Sequence, residues 1–451
     1  MDWIQYLSKV RLGREAEIPP TFDGRNQFQK DFDRIVFSGA FRRLQNKTQV
    51  IPLPETDFVH TRLTHSIESS CVGRSVGHLA GMRIMQNRLG EYDGLSPYDF
   101  EAVVAAACLA HDIGNPPFGH SGEAAISEFF RAEANSYLLE GLTDAQAEDL
   151  RNFEGNAAGF RILTHSYPKL SDRPGGIGLT YATLAIYSKY PKCSLPNLSA
   201  SAKSSEKKYG ILQADKSYFK NIAEYTGLMP KAGVPDAYIR HPLAFLVEAA
   251  DDITYKIIDF EDGYKLKLVP FDVIKNMLQE IADVKAAGHP SRIGLIKNPD
   301  EQIGYLRANA INSLINQVVD VFINNLGGIV RGGFDKNLLS QTASAGVLEE
   351  IQTRSVNDIY RSRPVLEIEA AGFEVIYGLL DAYLKAALLR NSLYLDRIRL
   401  LLPSYLIEDK NDTPEQRYNT ILNIVLYISG MTDNIAIDTY RKIKGISLPR
   451  L

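Results

Sequence analysis

Apolar residues recur along this chain at spacings of three and four, and the elements this pattern predicts are almost all helices. Phe32, Ile35, Val36, Phe41 and Leu44 mark a first stripe over residues 31–44. A second helix runs from Thr61 toward Leu89-Gly90. The third is framed by Ser96 as N-cap, Pro97 at the first helical position and Asp99 completing a capping box. Its run from Val103 to Ala110 is apolar on nearly every face, which predicts burial. Further helices are expected over 124–134, from Phe153 onward, over 180–189 and over 241–263. In the last of these Pro242 suits the first turn and Gly263 the stop. Beyond residue 270, amphipathic patterns occupy 306–326, 373–389, 393–402 and 421–428.

The intervening stretches are polar. Residues 1–30, with Pro19-Pro20, predict an extended arm, and 48–58, with prolines at 52 and 54, a small hairpin or loop. Residues 144–152 are acidic and expected to be exposed; 170–180 are rich in Gly and Pro. The Ser/Lys-rich stretch 192–208 predicts a mobile surface loop, and the Gly-Gly pairs at 327–328 and 332–333 mark loops. No internal repeat or clear linker divides the chain. The fold expected is all-α, with an arm (1–30), a helical core (31–270) and a C-terminal helical region (271–451) packed on that core.

Composition narrows this only slightly. Length alone would suggest about three domains, but the pattern favours one large helical unit. Hydrophobic residues make up 45% and charged residues 23%, ordinary for a soluble globular protein. A net charge of -4 leaves no basic footprint, so nucleic acid is not indicated as a partner. The cysteines (Cys71, Cys108, Cys193) are odd in number and far apart, which predicts reduced thiols, those at 71 and 108 buried in helices, and a cytoplasmic protein. No signal peptide is read at the N-terminus, and no apolar run reaches the ~18 residues that span a membrane.

The chemistry concentrates in residues 109–123. His111 and Asp112 are expected at the last turn of the buried third helix, with Gly114 as its C′ residue. A carboxylate delivered into an apolar interior is costly unless a cation or donor compensates it, which points to a metal. His65 lies one turn from Arg62 on the second helix. Asp251, Tyr255 and Asp259 recur at i, i+4 and i+8, one stripe on an otherwise apolar helix. Asp252 sits about 100° around from Asp251, and the relation to Tyr255 selects Asp251 as the ligand, leaving Asp252 to cap or pair. Together His65, His111, Asp112 and Asp251 form a mixed nitrogen/oxygen set suited to Mn, Fe, Mg or Zn, with room for water on a six-coordinate ion. The basic groups Arg34, Arg42, Arg43, Lys47 and Lys203, Lys207, Lys208 read as solvated surface.

An order of H…HD…D across helices is that of the HD-domain phosphohydrolases, and the likeness goes further. Phe41-Arg-Arg-Leu-Gln-Asn-Lys-Thr-Gln-Val, His60-Thr-Arg-Leu-Thr-His-Ser, His111-Asp-Ile-Gly-Asn-Pro-Pro-Phe-Gly-His-Ser-Gly-Glu, Glu154-Gly-Asn-Ala, Ala250-Asp-Asp-Ile-Thr-Tyr and Ser429-Gly-Met-Thr-Asp resemble the bacterial deoxynucleoside triphosphate triphosphohydrolases, the dGTPase family. The resemblance spans about residues 31–433. It implies hydrolysis of a dNTP to deoxynucleoside and intact triphosphate by water attack at the α-phosphorus, with His65, His111, Asp112 and Asp251 on the metal. His120 matches the family's catalytic histidine, and Glu123 would orient it. Arg62, Asn115 and Lys189 are then partners for the triphosphate, while Gln49, Tyr255 and Asp259 match positions that enclose the sugar. Members of the family form homo-oligomers, and some require a second nucleotide as activator. Two other readings remain beside it: an HD nucleotidase or phosphodiesterase, and a nucleotide-sensing or single-strand nucleic-acid-binding scaffold. The His120/Glu123 pair speaks against the first and the intact ligand set against the second.

Overall fold

The computed structural model describes residues 1–16, 24–49, 60–165, 175–196, 203–285, 293–389, 392–407 and 413–447. Within them the chain is helical, and pairing between extended segments is limited to isolated bridges, as the all-α expectation required. The N-terminal elements are α1 (Trp3–Tyr6), α2 (Gln27–Val36), α3 (Gly39–Arg43), α4 (Arg62–Gln86) and α5 (Pro97–Ala110). Next come α6 (Gly119–Arg131), α7 (Asp144–Arg151), α8 (Gly155–Thr164), α9 (Tyr181–Tyr187) and α10 (Lys216–Thr226). The long α11 (Ala244–Lys265) is followed by α12 (Phe271–Asp283), α13 (Pro299–Val330) and α14 (Ala345–Arg354). The chain ends in α15 (Arg363–Leu388), α16 (Leu393–Leu401), α17 (Pro414–Ser429) and α18 (Asp433–Ile443).

One core is built where α4, α5 and α11 meet α12, α13 and α14, around Val76, Val104, Ile257, Leu314 and Phe322. A second joins α6, α7 and α8 to α15 and α17, around Phe129, Leu150, Leu379 and Ile421. A third lies under α2, α3, α9 and α10. The α4–α5 contact is close because glycines line it at four-residue intervals. A Cβ at Gly77 would sit 2.7 Å from the Phe100 carbonyl oxygen, and one at Gly73 2.4 Å from Cys108 Sγ. The missing side chains at these glycines are what let the start of α4 lie alongside the end of α5. Helix α13 is the one described helix long and apolar enough by itself to cross a membrane, and half of its most apolar window is buried within the protein.

Several expectations are corrected. Residues 1–16 are not an extended arm: Trp3 is fully buried, packs edge-on against Phe100, and its Nε1–H donates to the Leu89 carbonyl at 2.8 Å. An indole supplies apolar area and one donor, and both are used here. The stripe over 31–44 is two helices, because Ser38 caps a new one by accepting from the Phe41 N–H. Gly263 does not stop α11; it is a close contact inside it, where a Cβ would lie 2.4 Å from Ile359. Gly327 and Gly328 likewise continue α13. Asp149, in the segment expected to be exposed, is buried and accepts from Tyr418 and from the Gln213 N–H. Cys71 is exposed, whereas Cys108 is buried.

The stretch 192–208 is not a mobile surface loop where it is described. Cys193 is buried, Ser205 N–H donates to Asp335 at 3.1 Å, and Lys231 pairs with Glu206 at 2.7 Å. Residues 197–202 lie outside the described residues, as do 50–59, most of the expected hairpin, and 166–174.

Gly77→Ala is expected to cost about 1–3 kcal/mol through overpacking, read as a lower urea midpoint with an unchanged slope.

Candidate active site

Thr61 caps α4 by accepting from the Thr64 N–H, which places Arg62 and His65 in the first turn on one face. Helix α5 ends at Ala110 with His111 as its cap residue, so the C′ position falls on Asp112, and Gly114, expected there, stands two residues beyond it. It is still required there. Its φ is +110°, and a Cβ would lie 2.2 Å from the Gly159 nitrogen and 2.3 Å from the Gly155 oxygen of α8. Only glycine allows the chain to turn so tightly against that helix.

His65, His111 and Asp251 come together, each offering a ligand atom within 4.8 Å of the others. Asp251 Oδ1 lies 3.1 Å from His65 Nε2 and 3.2 Å from His111 Nε2. His111 Nδ1–H donates to the Cys108 carbonyl at 2.6 Å, so its neutral tautomer turns an Nε2 lone pair toward that carboxylate. Lone pairs converging this way need a cation between them or a proton on the ring. Burial would lower the His111 pKa, yet Asp251 and Asp112 override it and raise it. Asp251 runs the other way: burial would raise it, while His111 and the paired Lys189 hold it well below the usual range.

Asp112 stands 3.5 Å from His111 Nε2 through Oδ1. That oxygen accepts from Arg62 at 2.9 Å and from Asn115 Nδ2 at 2.5 Å. Its Oδ2 is buried with no hydrogen-bond partner among the described residues. Arg62 keeps the Asp112 carboxyl below its ordinary value against the effect of burial. His65, His111 and Asp251 could thus hold a divalent cation, and Asp112, the fourth expected ligand, stands beside that group with one orphaned carboxylate oxygen.

His60, two residues before Arg62, fastens this end of α4 to α11. Its Nδ1 lies 2.9 Å from Asp262 and its Nε2 3.3 Å from Glu68. Burial works against its charge, but these carboxylates push its pKa up to about 10.

His120 sits in the first turn of α6 with an 82% exposed side chain, and its Nδ1 meets Glu123 Oε2 at 2.8 Å. Glu123 Oε1 accepts from the Gly155 N–H at 2.8 Å. The charge of Lys208 bears on Glu123, and Lys208 pairs with Glu154 at 3.3 Å, so one cation assigned to solvent belongs to this neighbourhood. Burial, reinforced by nearby Glu123, raises Glu154 to about 7. The residue that starts α6, Phe118, has a φ of +62°. A left-handed backbone at a bulky residue costs about 1–3 kcal/mol and persists only where its surroundings hold it.

Tyr255 and Asp259 continue the stripe from Asp251. Tyr360, absent from the sequence reading, completes it: its hydroxyl donates to Asp259 Oδ2 at 3.1 Å, and its ring stands 5.9 Å from Tyr255. Burial raises Asp259 well above the carboxylate range. Gln49 is not bonded to the others; its Oε1 is buried without a partner among the described residues. Asp252 faces away, accepts from Asn337 at 2.5 Å, and lines a separate cavity of about 410 Å³ with Lys256 and Gln352. Lys47, expected on a solvated face, is buried and donates to the carbonyls of Asn115 and Ser429, both at 2.6 Å. Burial and nearby Arg62 lower it to about 7. Tyr360 and Lys47 gave no local sequence signal beyond membership of a matched or helical stretch.

Residues 62–170 match the HD domain family. A Synechocystis sp. protein named deoxyguanosinetriphosphate triphosphohydrolase-like is 41% identical over 99% of this chain and all of its own length. A Pseudomonas aeruginosa protein of the same name is 36% identical over the full length of both. A Klebsiella pneumoniae protein named deoxyguanosinetriphosphate triphosphohydrolase is 32% identical over 98% of this chain and 99% of its own.

Two outcomes are expected. Mn(II) at a hundredfold excess over its Kd should raise the free energy of unfolding by ~2.7 kcal/mol, and His65→Ala or Asp251→Asn should remove that gain in calorimetry. The stability His60 contributes is fully present below about pH 6.5 and is lost as pH rises toward 10. The melting temperature of His60→Gln should therefore fall below wild type at pH 6 and converge with it above pH 10. A constant gap would show that His60 acts by shape alone.

Proposed function

The chain belongs to the deoxyguanosinetriphosphate triphosphohydrolase-like family of HD-domain proteins, and from that premise we propose that it hydrolyses deoxynucleoside triphosphates to deoxynucleoside and inorganic triphosphate. The observation that carries this is the convergence of two imidazole Nε2 atoms on Asp251 Oδ1 beside the orphaned Asp112 Oδ2. His65, His111, Asp112 and Asp251 would hold a divalent ion (Mn, Mg, Fe or Zn). Bound there, such an ion supplies polarisation of an α-phosphate oxygen and a water of lowered pKa.

This chain's side chains supply the rest. Arg62 and Lys189 are buried cations at the edge of the ligand set, and with Asn115 they bind and orient the triphosphate. The oxygen of a water that has released one proton to solvent forms the new bond at the α-phosphorus, the bond to the 5′-oxygen breaks, and the electron pair leaves with that oxygen. His120 delivers the proton this oxygen needs. Glu123 holds the imidazole by Nδ1, which leaves Nε2 free to face the leaving group. Such a general acid contributes ~10²–10⁴-fold. Gln49 and Asp259 read the 3′-hydroxyl, with Tyr360 steadying Asp259, and Tyr255 crowds the 2′ position against ribonucleotides.

Ion-exchange chromatography of reactions with each dNTP and GTP, with Mn(II) or Mg(II), is the deciding experiment. Deoxynucleoside and intact triphosphate are expected in equal amounts. His111→Ala should abolish turnover and His120→Ala reduce kcat by ~10²–10⁴-fold. Pyrophosphate or phosphate as the product, or no turnover with any ion, would refute the reading.

A further inference from the structure

The Ser429-Gly-Met-Thr-Asp433 segment lies more than 300 residues from the histidines, yet it holds both walls of the site. Asp433, at the start of α18, is 1% exposed. Its Oδ1 accepts from the Phe118 N–H at 3.1 Å; its Oδ2 accepts from the Thr48 N–H at 2.9 Å and from the Thr48 hydroxyl at 2.5 Å. Thr48 immediately precedes Gln49. Phe118 is the left-handed residue from which α6 starts, two residues before His120. Its ring is wedged against α15, where a Cβ at Gly372 would lie 2.6 Å from it.

Three neighbouring bonds repeat the same bridging. Lys47 Nζ joins the Asn115 and Ser429 carbonyls, and Ser429 Oγ donates to the Gly114 carbonyl at 2.8 Å. A carboxylate in the first turn of a helix ordinarily serves that helix's own N–H groups. Thr432 caps α18, accepting from the Ile435 N–H, so Asp433 is free to reach outward.

We infer that Asp433 is a positioning residue: by bonding Thr48 and Phe118 at once, it fixes the separation between the Gln49 side of the site and the α6 turn that carries His120. This rests on the catalytic role proposed for His120. Asp433 touches no ligand of the candidate cation, so its effect should fall on turnover and leave metal binding intact. Misplacing a reacting group by about 1 Å can cost ~10²-fold.

The test uses the full chain. Asp433→Ala should speed amide hydrogen exchange at Thr48 and Phe118 while the interior of α5 stays protected. It should lower kcat by about 10²-fold, with Mn(II) affinity by calorimetry within about twofold of wild type. Thr48→Val, which exchanges only the hydroxyl for a methyl group, should lose part of the same activity, and Thr48→Ser, which keeps the hydroxyl, should retain it. In a His120→Ala background Asp433→Ala should have almost no further effect, since its influence passes through that imidazole. Equal losses in both backgrounds, lost Mn(II) binding, or turnover within twofold of wild type despite faster exchange would each overturn the inference. Should Asp433→Ala fail to fold, the Thr48 pair carries the same test. A wild-type protein that releases no triphosphate refutes the functional reading, and unchanged protection of Thr48 and Phe118 in Asp433→Ala would then refute the tether separately.

Discussion

Everything around the site follows from placing two carboxylates together, Asp112 buried and Asp251 largely so, where water solvates them poorly. An isolated buried carboxylate costs several kcal/mol, and attraction to a partner offsets this only with good geometry. The chain meets the demand with fixed cations. Arg62 comes from the first turn of α4 and Lys189 from just past α9, each bonded to one of the two carboxylates. Two imidazoles then fill the remaining approach. These groups come from α4, the end of α5, the segment past α9 and α11, so the charge balance exists only when those elements are packed. Stability of the fold and competence of the site are therefore coupled. Asp112 Oδ2, buried with no hydrogen-bond partner among the described residues, marks where a further cation could sit.

Packing makes that coupling rigid. Glycines at 73 and 77 let α4 lie on α5 closely enough to bring the rings of His65 and His111 to 5.2 Å. Gly114 presses the following turn onto α8, and the first N–H of α8 binds Glu123. One short helix thus supports both the turn beyond the ligands and the carboxylate behind His120. Sites held by packed secondary structure keep their geometry better than sites on free loops.

What the sequence shows is what local rules encode. Ser96, Pro97 and Asp99 announce the start of α5 because a capping box is complete within four residues. Asp251, Tyr255 and Asp259 announce one shared face because helical spacing alone aligns them. The cluster of His65, His111 and Asp251 became visible through motif order, since no local rule brings α4, α5 and α11 together. Tyr360, Lys208 and Asp433 escaped for that reason: each reaches the site by a tertiary contact, and a lone Tyr, Lys or Asp carries no spacing signal. Gly263 was misread because a glycine that ends a helix and one that admits a neighbour look alike in sequence. Ile359 pressing on it decides the matter.

The C-terminal helices acquire a role from this geometry. They contribute none of the four expected ligands, yet Tyr360 bonds Asp259 and Asp433 bonds the turns before Gln49 and His120. A strained residue such as Phe118 relaxes when its restraints are removed. Its restraints come from α15, through Gly372, and from α18, through Asp433. The early helices bring the charges together, and the late helices hold the strained turn from which His120 projects. The candidate ligands and the proposed proton donor thus depend on different contacts, so on the proposed function a lesion in the C-terminal contacts should separate metal binding from turnover, whereas a lesion at the α4–α5 contact should impair both.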